Sequence, residues 1–315
     1  MFRALLWSVS MFAAIAGPVC AENYPERTIQ MLVSLPAGTT PDILGRGLAQ
    51  GFDDQLGQRV VVENRDGGGQ VIAMNVASSA AADGYTLVLT PVAPVTIQLH
   101  RMKLPYTDKT FVPVCQTFEN VFFLAVSPSS PYQDLKSFMT YAKSHPGKLR
   151  YGHSGLASSP HLMGAQLWQQ AGLQVTDVPY RGESGYVVNL LAGELDAGIA
   201  STSLVTSHKL RPLVVFSDKR SANFPDVPTA AEMGFDVSAS GYGGLFARAE
   251  ISTAVLRKLE QTCKAVVNSK RYQALADKLY QESTYLDSAE FSARIAQDSR
   301  IKAGLLKTLG LSREN

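Results

Sequence analysis

Cysteine is scarce in this chain, with three in 315 residues, and Cys20 falls within an apolar leader. The other two, Cys115 and Cys263, are too few for a disulfide framework or a cysteine metal cage. Outside the cytoplasm they could form one disulfide or remain two buried thiols. Histidine is equally thin. His100, His145, His153, His161 and His208 are dispersed, no two at ligand spacing, which argues against a metal centre. An excess of one charge is also missing: 29 Lys and Arg face 27 Asp and Glu, scattered along the chain, so no field exists to hold nucleic acid. After the leader, no stretch approaches the ~18 uninterrupted apolar residues of a membrane span. No Ser/Gly-rich or Pro-rich linker divides the chain either.

The leader itself is informative. Arg3 precedes an apolar run over 4–16, and small residues lead up to Ala21. This is the pattern of a secretory signal peptide, residues 1–21, with cleavage after Ala21. An exported, water-soluble protein with a sizeable core is expected beyond it.

Short apolar runs then alternate with amphipathic segments, which predicts an α/β fold with parallel strands. Strands are expected over 28–35, 59–63, 86–90, 121–127, 149–152, 175–178, 197–201 and 212–217. Helices are expected over 42–56, 71–80, 135–144, 161–171, 186–191, 254–268 and 288–309. In the first helix Leu44, Leu48, Phe52 and Leu56 recur every fourth residue and form one buried stripe. If the chain makes two domains without a linker, it crosses between them by strands, and the runs 121–127 and 243–247 are the candidates.

Two segments share one arrangement: an apolar strand, a Gly/Ser/Thr loop, then a hydroxyl residue and a proline opening a helix. The first is MLVSLPAGTTPD (31–42) and the second LRYGHSGLASSPH (149–161). Thr40 and Ser159 read as N-caps, with Pro41 and Pro160 at the first helical position. A helix start carries unpaired N–H groups and partial positive charge, so each segment can cradle an anion. In the first loop the N–H groups around Gly38, Thr39 and Thr40 would face a carboxylate, while Asp42 complements the helix dipole and pairs with Arg46. The second loop offers the hydroxyls of Ser154, Ser158 and Ser159 beside Gly155, with His161 as a further donor. Arg181, at a strand end, could grip a carboxylate in bidentate fashion.

Two catalytic readings compete and are weaker. Gly-His-Ser-Gly at 152–155 approaches a serine nucleophile elbow, with Asp196 and His208 following in hydrolase order, but Leu156 stands where the elbow needs glycine. The glycines at 67–69 approach a dinucleotide fingerprint, but the third required glycine and the downstream acid are missing. A plain glycine turn explains them.

Six segments in order then carry a resemblance: NYPERTI (23–29), GQRVVVENRDG (57–67), ADGYTL (82–87), YGHSG (151–155), VPYRG (178–182) and FPDVPTAAEMG (224–234). Together they resemble the Bug family, the periplasmic substrate receptors of tripartite tricarboxylate transporters, over essentially the whole mature chain. The resemblance implies an α/β periplasmic-binding-protein (Venus-flytrap) fold, two α/β lobes joined by crossing strands. Lobe 1 would hold 22–122 and 245–315, and lobe 2 would hold 123–244. It further implies a monomeric, non-catalytic periplasmic protein without cofactor or metal. Its partners would be a small organic carboxylate and the membrane permease subunits that receive it. An alternative partner is a signalling protein that reads the loaded receptor.

Carried onto this chain, the ligand residues are Ala37, Gly38, Thr39, Thr40 and Asp42 from the first loop, and Ser154, Gly155, Ser158 and His161 from the second. Thr90, Tyr180, Arg181 and Gly182 would complete the cleft wall. The chain departs from the family pattern at Thr39 and Ala157, which stand where glycines are usual, and at Pro41, which replaces a hydroxyl residue.

Overall fold

The computed structural model describes residues 23–237, 241–281 and 283–313. The signal peptide expected at 1–21 lies outside the described residues. Twenty-one elements follow in chain order: β1 (Ile29–Val33), α1 (Thr40–Leu56), β2 (Val60–Asn64), α2 (Val71–Ser78), β3 (Thr86–Pro91), α3 (Ala93–Thr96), α4 (Gln98–Arg101), β4 (Phe111–Asn120), β5 (Phe122–Val126), α5 (Leu135–Ser144), β6 (Arg150–His153), α6 (Ser159–Ala171), β7 (Thr176–Pro179), α7 (Glu183–Leu191), β8 (Ala197–Ser201), α8 (Thr202–Ser207), β9 (Arg211–Phe216), β10 (Gly241–Arg248), α9 (Thr253–Val267), α10 (Lys270–Lys278) and α11 (Ser288–Thr308).

These strands make two five-stranded sheets, ordered β2-β1-β3-β10-β4 and β7-β6-β8-β5-β9. The two sheets are built alike. In each, three strands run parallel with the earliest in the middle, as β1 pairs β2 and β3, and β6 pairs β7 and β8. The fourth position is then taken by an antiparallel strand, β10 in the first sheet and β5 in the second. β4 ends at Asn120 in the first sheet and β5 opens at Phe122 in the second, so the forward passage between sheets takes a single intervening residue. The run expected to cross at 121–127 is therefore a strand of the second sheet, entered directly after the passage. The run at 243–247 lies within β10.

Helices cover both faces of each sheet, so strand residues alternate between two cores. In β1, Met31 joins the cluster with Leu44, Leu48 and Phe52 of α1, while Leu32 joins the opposite cluster with Met74 and Phe291. In β5, Phe122, Leu124 and Val126 face one core and Phe123 and Ala125 the other. Burying a side chain of this size contributes roughly 1.5–3 kcal/mol. Those alternating runs are why the sequence pattern located the strands.

Five elements escaped that pattern: α3, α4, β4, α8 and α10. In β4, Pro113 interrupts the apolar run, and the edge strand accommodates it at an irregular register opposite Phe246 of β10. Cys115 of β4 and Cys263 of α9 form a disulfide across a sequence separation of 148, which resolves the choice the sequence left open and ties α9 to the sheet.

Candidate functional site

A cavity of about 940 Å³ lies between the two sheets. Its walls are the carboxyl ends of the six parallel strands and the segments that follow them: 38–41 after β1, 68–70 after β2, Pro91 ending β3 with Ala93 beyond, 154–160 after β6, Gly182 and Glu183 after β7, and Ser201 ending β8 with Ser203 beyond. This is where open α/β sheets place ligands, because loops diverge there and helices begin. Phe118, Asn120, Phe122, Gly241 and Gln281 close it where the chain passes between sheets. The Gln281 amide donates to Asn120 Oδ1 at 3.1 Å.

Both helix starts singled out by sequence open on this cavity, but each begins one residue earlier than expected. Thr39 is the N-cap of α1 and Ser158 that of α6, which moves Pro41 and Pro160 to the second helical position. Ser158 Oγ accepts the His161 N–H at 3.2 Å. Thr39 makes no side-chain cap; its hydroxyl donates to the Pro36 carbonyl at 2.7 Å.

The N–H of Gly38, expected to face a ligand, instead donates to Asp42 Oδ2 at 2.9 Å. Asp42 is buried and acts as the hub of this loop. Its Oδ1 accepts from the Asn64 amide at 2.8 Å and pairs with Arg46 at 3.0 Å. Burial alone would raise the Asp42 pKa, yet Arg46, the Gly38 N–H and Asn64 together hold it below the usual carboxylate value. The pairing with Arg46 is the one anticipated from their i,i+4 spacing.

The second loop is braced from behind. His161 Nδ1 accepts the Ala157 N–H at 3.0 Å, and His153 Nδ1 donates to the Gly155 carbonyl at 3.0 Å. Ala157 is held at φ 56, a left-handed backbone that a glycine would adopt without cost. His153, His161 and Asp177 bring ligand-type atoms within 4.8 Å of one another, a grouping that spacing along the sequence did not reveal. A histidine that binds a metal through one nitrogen donates an N–H from the other. His161 Nδ1 is occupied by a donor, so its Nε2 carries the ring proton and the trio does not suit a cation.

The remaining expected site residues are scattered. Gly38, Thr39, Thr40, Ser154, Gly155, Ser158 and Gly182 line the cavity, whereas Ala37, Asp42, Thr90, His161, Tyr180 and Arg181 do not. Thr90 is buried in the sheet, accepting from Ser34 Oγ at 2.7 Å and donating to the Pro91 carbonyl. The Tyr180 hydroxyl accepts from the Asn189 amide at 2.7 Å, and Arg181 is exposed. Ser154, Asp196 and His208 do not assemble a triad. Asp196 accepts the N–H of Arg150 at the opening of β6, while Ser154 follows its other end.

Of the lining side chains that went unnoticed in the sequence, three carry a charge or a buried, unpaired polar atom. Arg101, at the end of α4, reaches Gln98 Oε1 at 3.3 Å through one terminal nitrogen, while its Nε is buried without a partner. Gln70 follows the glycine turn in a left-handed conformation, and its Oε1 is likewise buried and unpaired. Glu183 opens α7 and accepts the Ser201 hydroxyl at 2.5 Å. Burial pushes the Glu183 pKa up to about 7, against the opposing pull of Ser201. The glycine turn and the acid after Tyr-Arg-Gly were visible signals; nothing near Arg101 marked it.

Comparison with known proteins agrees with this architecture. Residues 44–311 match the tripartite tricarboxylate transporter family receptor (TctC). The chain is 37% identical over 230 residues to the protein BugT of Bordetella pertussis, covering 71% of each. Its fold superposes on a TctC solute-binding protein from Polaromonas with a TM-score of 0.80 at 25% identity, covering 90% of this chain and 99% of that one. A protein of R. palustris solved with adipate gives 0.78 at 25% identity, covering 92% and 99%. The fold is thus of the periplasmic-binding-protein class, and its relatives are solute-binding receptors. With its six ordered motifs and both strand-loop-helix units in place, the chain belongs to the tripartite tricarboxylate transporter receptor family.

Proposed function

We propose that this protein is a periplasmic receptor that binds a small carboxylate in the cavity between its sheets and delivers it to membrane permease subunits of a tripartite transporter. One observation carries the reading: two helix starts from different sheets and the side chain of Arg101 meet at one cavity. After Gly38 is taken by Asp42, the first loop still has the first-turn N–H of Thr40, and the second keeps that of Ser159 and the hydroxyls of Ser154 and Ser158. Arg101 adds a charge-assisted bond. Hydrogen bonds to a charged group contribute about 1.5–3 kcal/mol each. Three or four from both walls reach the roughly 8 kcal/mol of micromolar binding after ordering costs; one wall alone falls short.

The two lobes expected from the sequence, 22–122 with 245–315 and 123–244, would close on the ligand; the sheets themselves divide at residue 121 and at the start of β10. An apolar cluster joins them: Ala157 and Leu162 pack with Ile97, Leu305 and Leu306. This contact would hold the closed form that a permease reads. The adipate bound by the R. palustris relative supports the ligand class. Titrating the mature protein with mono-, di- and tricarboxylates while following thermal unfolding tests the reading. A ligand at a hundred times its Kd should stabilise by about 2.7 kcal/mol; no stabilisation by any member would overturn it.

A further inference from the structure

Among the described residues, the charged ones lining the cavity are Arg101 and Glu183, one associated with each sheet. A receptor for a plain anion has little use for an acid in its binding wall. Glu183 is nevertheless built in. It sits at the first position of a nine-residue helix, and Ser201 Oγ, which accepts the Leu204 N–H at 3.4 Å, turns its hydroxyl proton to Glu183 Oε2. Among the described residues no cation pairs with this carboxylate; its hydrogen-bond partner is Ser201, through side chain and backbone.

We propose that the ligand is a zwitterionic amino carboxylate, its carboxylate held by Arg101 and the helix starts and its ammonium by Glu183. The inference rests on the receptor reading above and specifies its ligand. The cavity's own charges cancel, as do those of a zwitterion. A ligand with a second carboxylate in place of the ammonium would set two like charges together in a desolvated wall, whereas an ammonium supplies the missing counter-charge. Gln70 also lines this cavity, and its buried amide oxygen has no partner among the described residues. The elevated pKa of Glu183 fits a carboxylate whose counter-ion arrives with the ligand.

The test is calorimetric titration at pH 8 of the mature wild-type chain and of Glu183→Gln with three matched series: glycine, oxalate and acetate; 4-aminobutyrate, succinate and butyrate; 6-aminohexanoate, adipate and hexanoate. In at least one series the wild type should bind the amino carboxylate at least about tenfold more tightly than the dicarboxylate. Glu183→Gln should remove that preference, and Glu183→Asp, which keeps the charge, should retain its direction. Wild-type binding that favours the dicarboxylate in every series in which binding occurs overturns the inference and leaves the receptor reading standing. So does an amino preference that survives in folded Glu183→Gln. If no wild-type titration with any carboxylate gives binding, the receptor reading fails and the inference fails with it.

Discussion

The main-chain N–H of Ala157 donates to Nδ1 of His161 at 3.0 Å, which fixes the neutral imidazole with its proton on Nε2, 3.8 Å from Asp177 Oδ2. The ring thereby shapes the loop from behind. It does not reach into the cavity. His153 braces the same loop through the Gly155 carbonyl. Burial lowers the pKa of both rings; for His161, with His153 adding to the effect, it falls to about 4.

Acid should therefore loosen the second loop. An unfolded histidine titrates near 6.5, so as pH falls below that value the unfolded chain takes up the proton first. The stability carried by neutral His161 is complete above about pH 6.5 and is lost as pH falls toward 4. Urea unfolding at pH 7 and 4.5 should show a His161-dependent loss of up to about 3 kcal/mol. His161→Gln, which can still accept the Ala157 N–H but does not titrate, should flatten the profile. An unchanged slope in that variant would count against this account.

Glu183 should act with the opposite sign. Its folded pKa, about 7, lies above the unfolded carboxyl value, so its contribution is fully present below about pH 4.5 and is lost as pH rises through 7. In the ligand-free protein, Glu183→Gln should gain about 1–3 kcal/mol over wild type at pH 8 and nothing at pH 4.5. Denaturant midpoints at the two pH values check this. Equal midpoints at pH 8 would show that the carboxylate is well solvated.

Arg101→Gln should weaken carboxylate binding about 10- to 100-fold, corresponding to one lost charge-assisted bond. Arg101→Lys should recover little, because a compact ammonium cannot reproduce the planar fork of guanidinium donors. Calorimetry with whichever carboxylate stabilises the wild type measures both. Wild-type affinity in Arg101→Gln would remove Arg101 from the site.

Replacing Cys115 and Cys263 together by serine, or reducing the bond, should cost about 2–4 kcal/mol, since the cross-link closes a long loop in the unfolded chain. Denaturant unfolding with and without reductant should show the same loss as the double variant. A smaller effect of reductant than of the variant would point to packing of the serine hydroxyls in the apolar core.

Much of the secondary structure was legible because burial repeats at short range. The alternation in β1 and β5 and the four-residue stripe of α1 report directly on local geometry. β4 was not legible, because Pro113 breaks its pattern and only pairing with β10 makes it a strand. The helix starts were legible to within one residue, since hydroxyl and proline residues favour neighbouring positions of the first turn. Which N–H groups remain free was not. That depended on Asp42 taking Gly38 and His161 taking Ala157, contacts set by where each side chain points.

By itself, the sequence determined that strands and helices alternate, where two strand-loop-helix units fall, and to which family the ordered motifs belong. Only the tertiary structure decided that those loops face one cavity, that Arg101 and Glu183 join them, and that Cys115 meets Cys263. The reason is physical. Periodicity and capping act within a few residues, whereas the cavity arises because both sheets share one strand order and the chain passes between them beside their carboxyl ends.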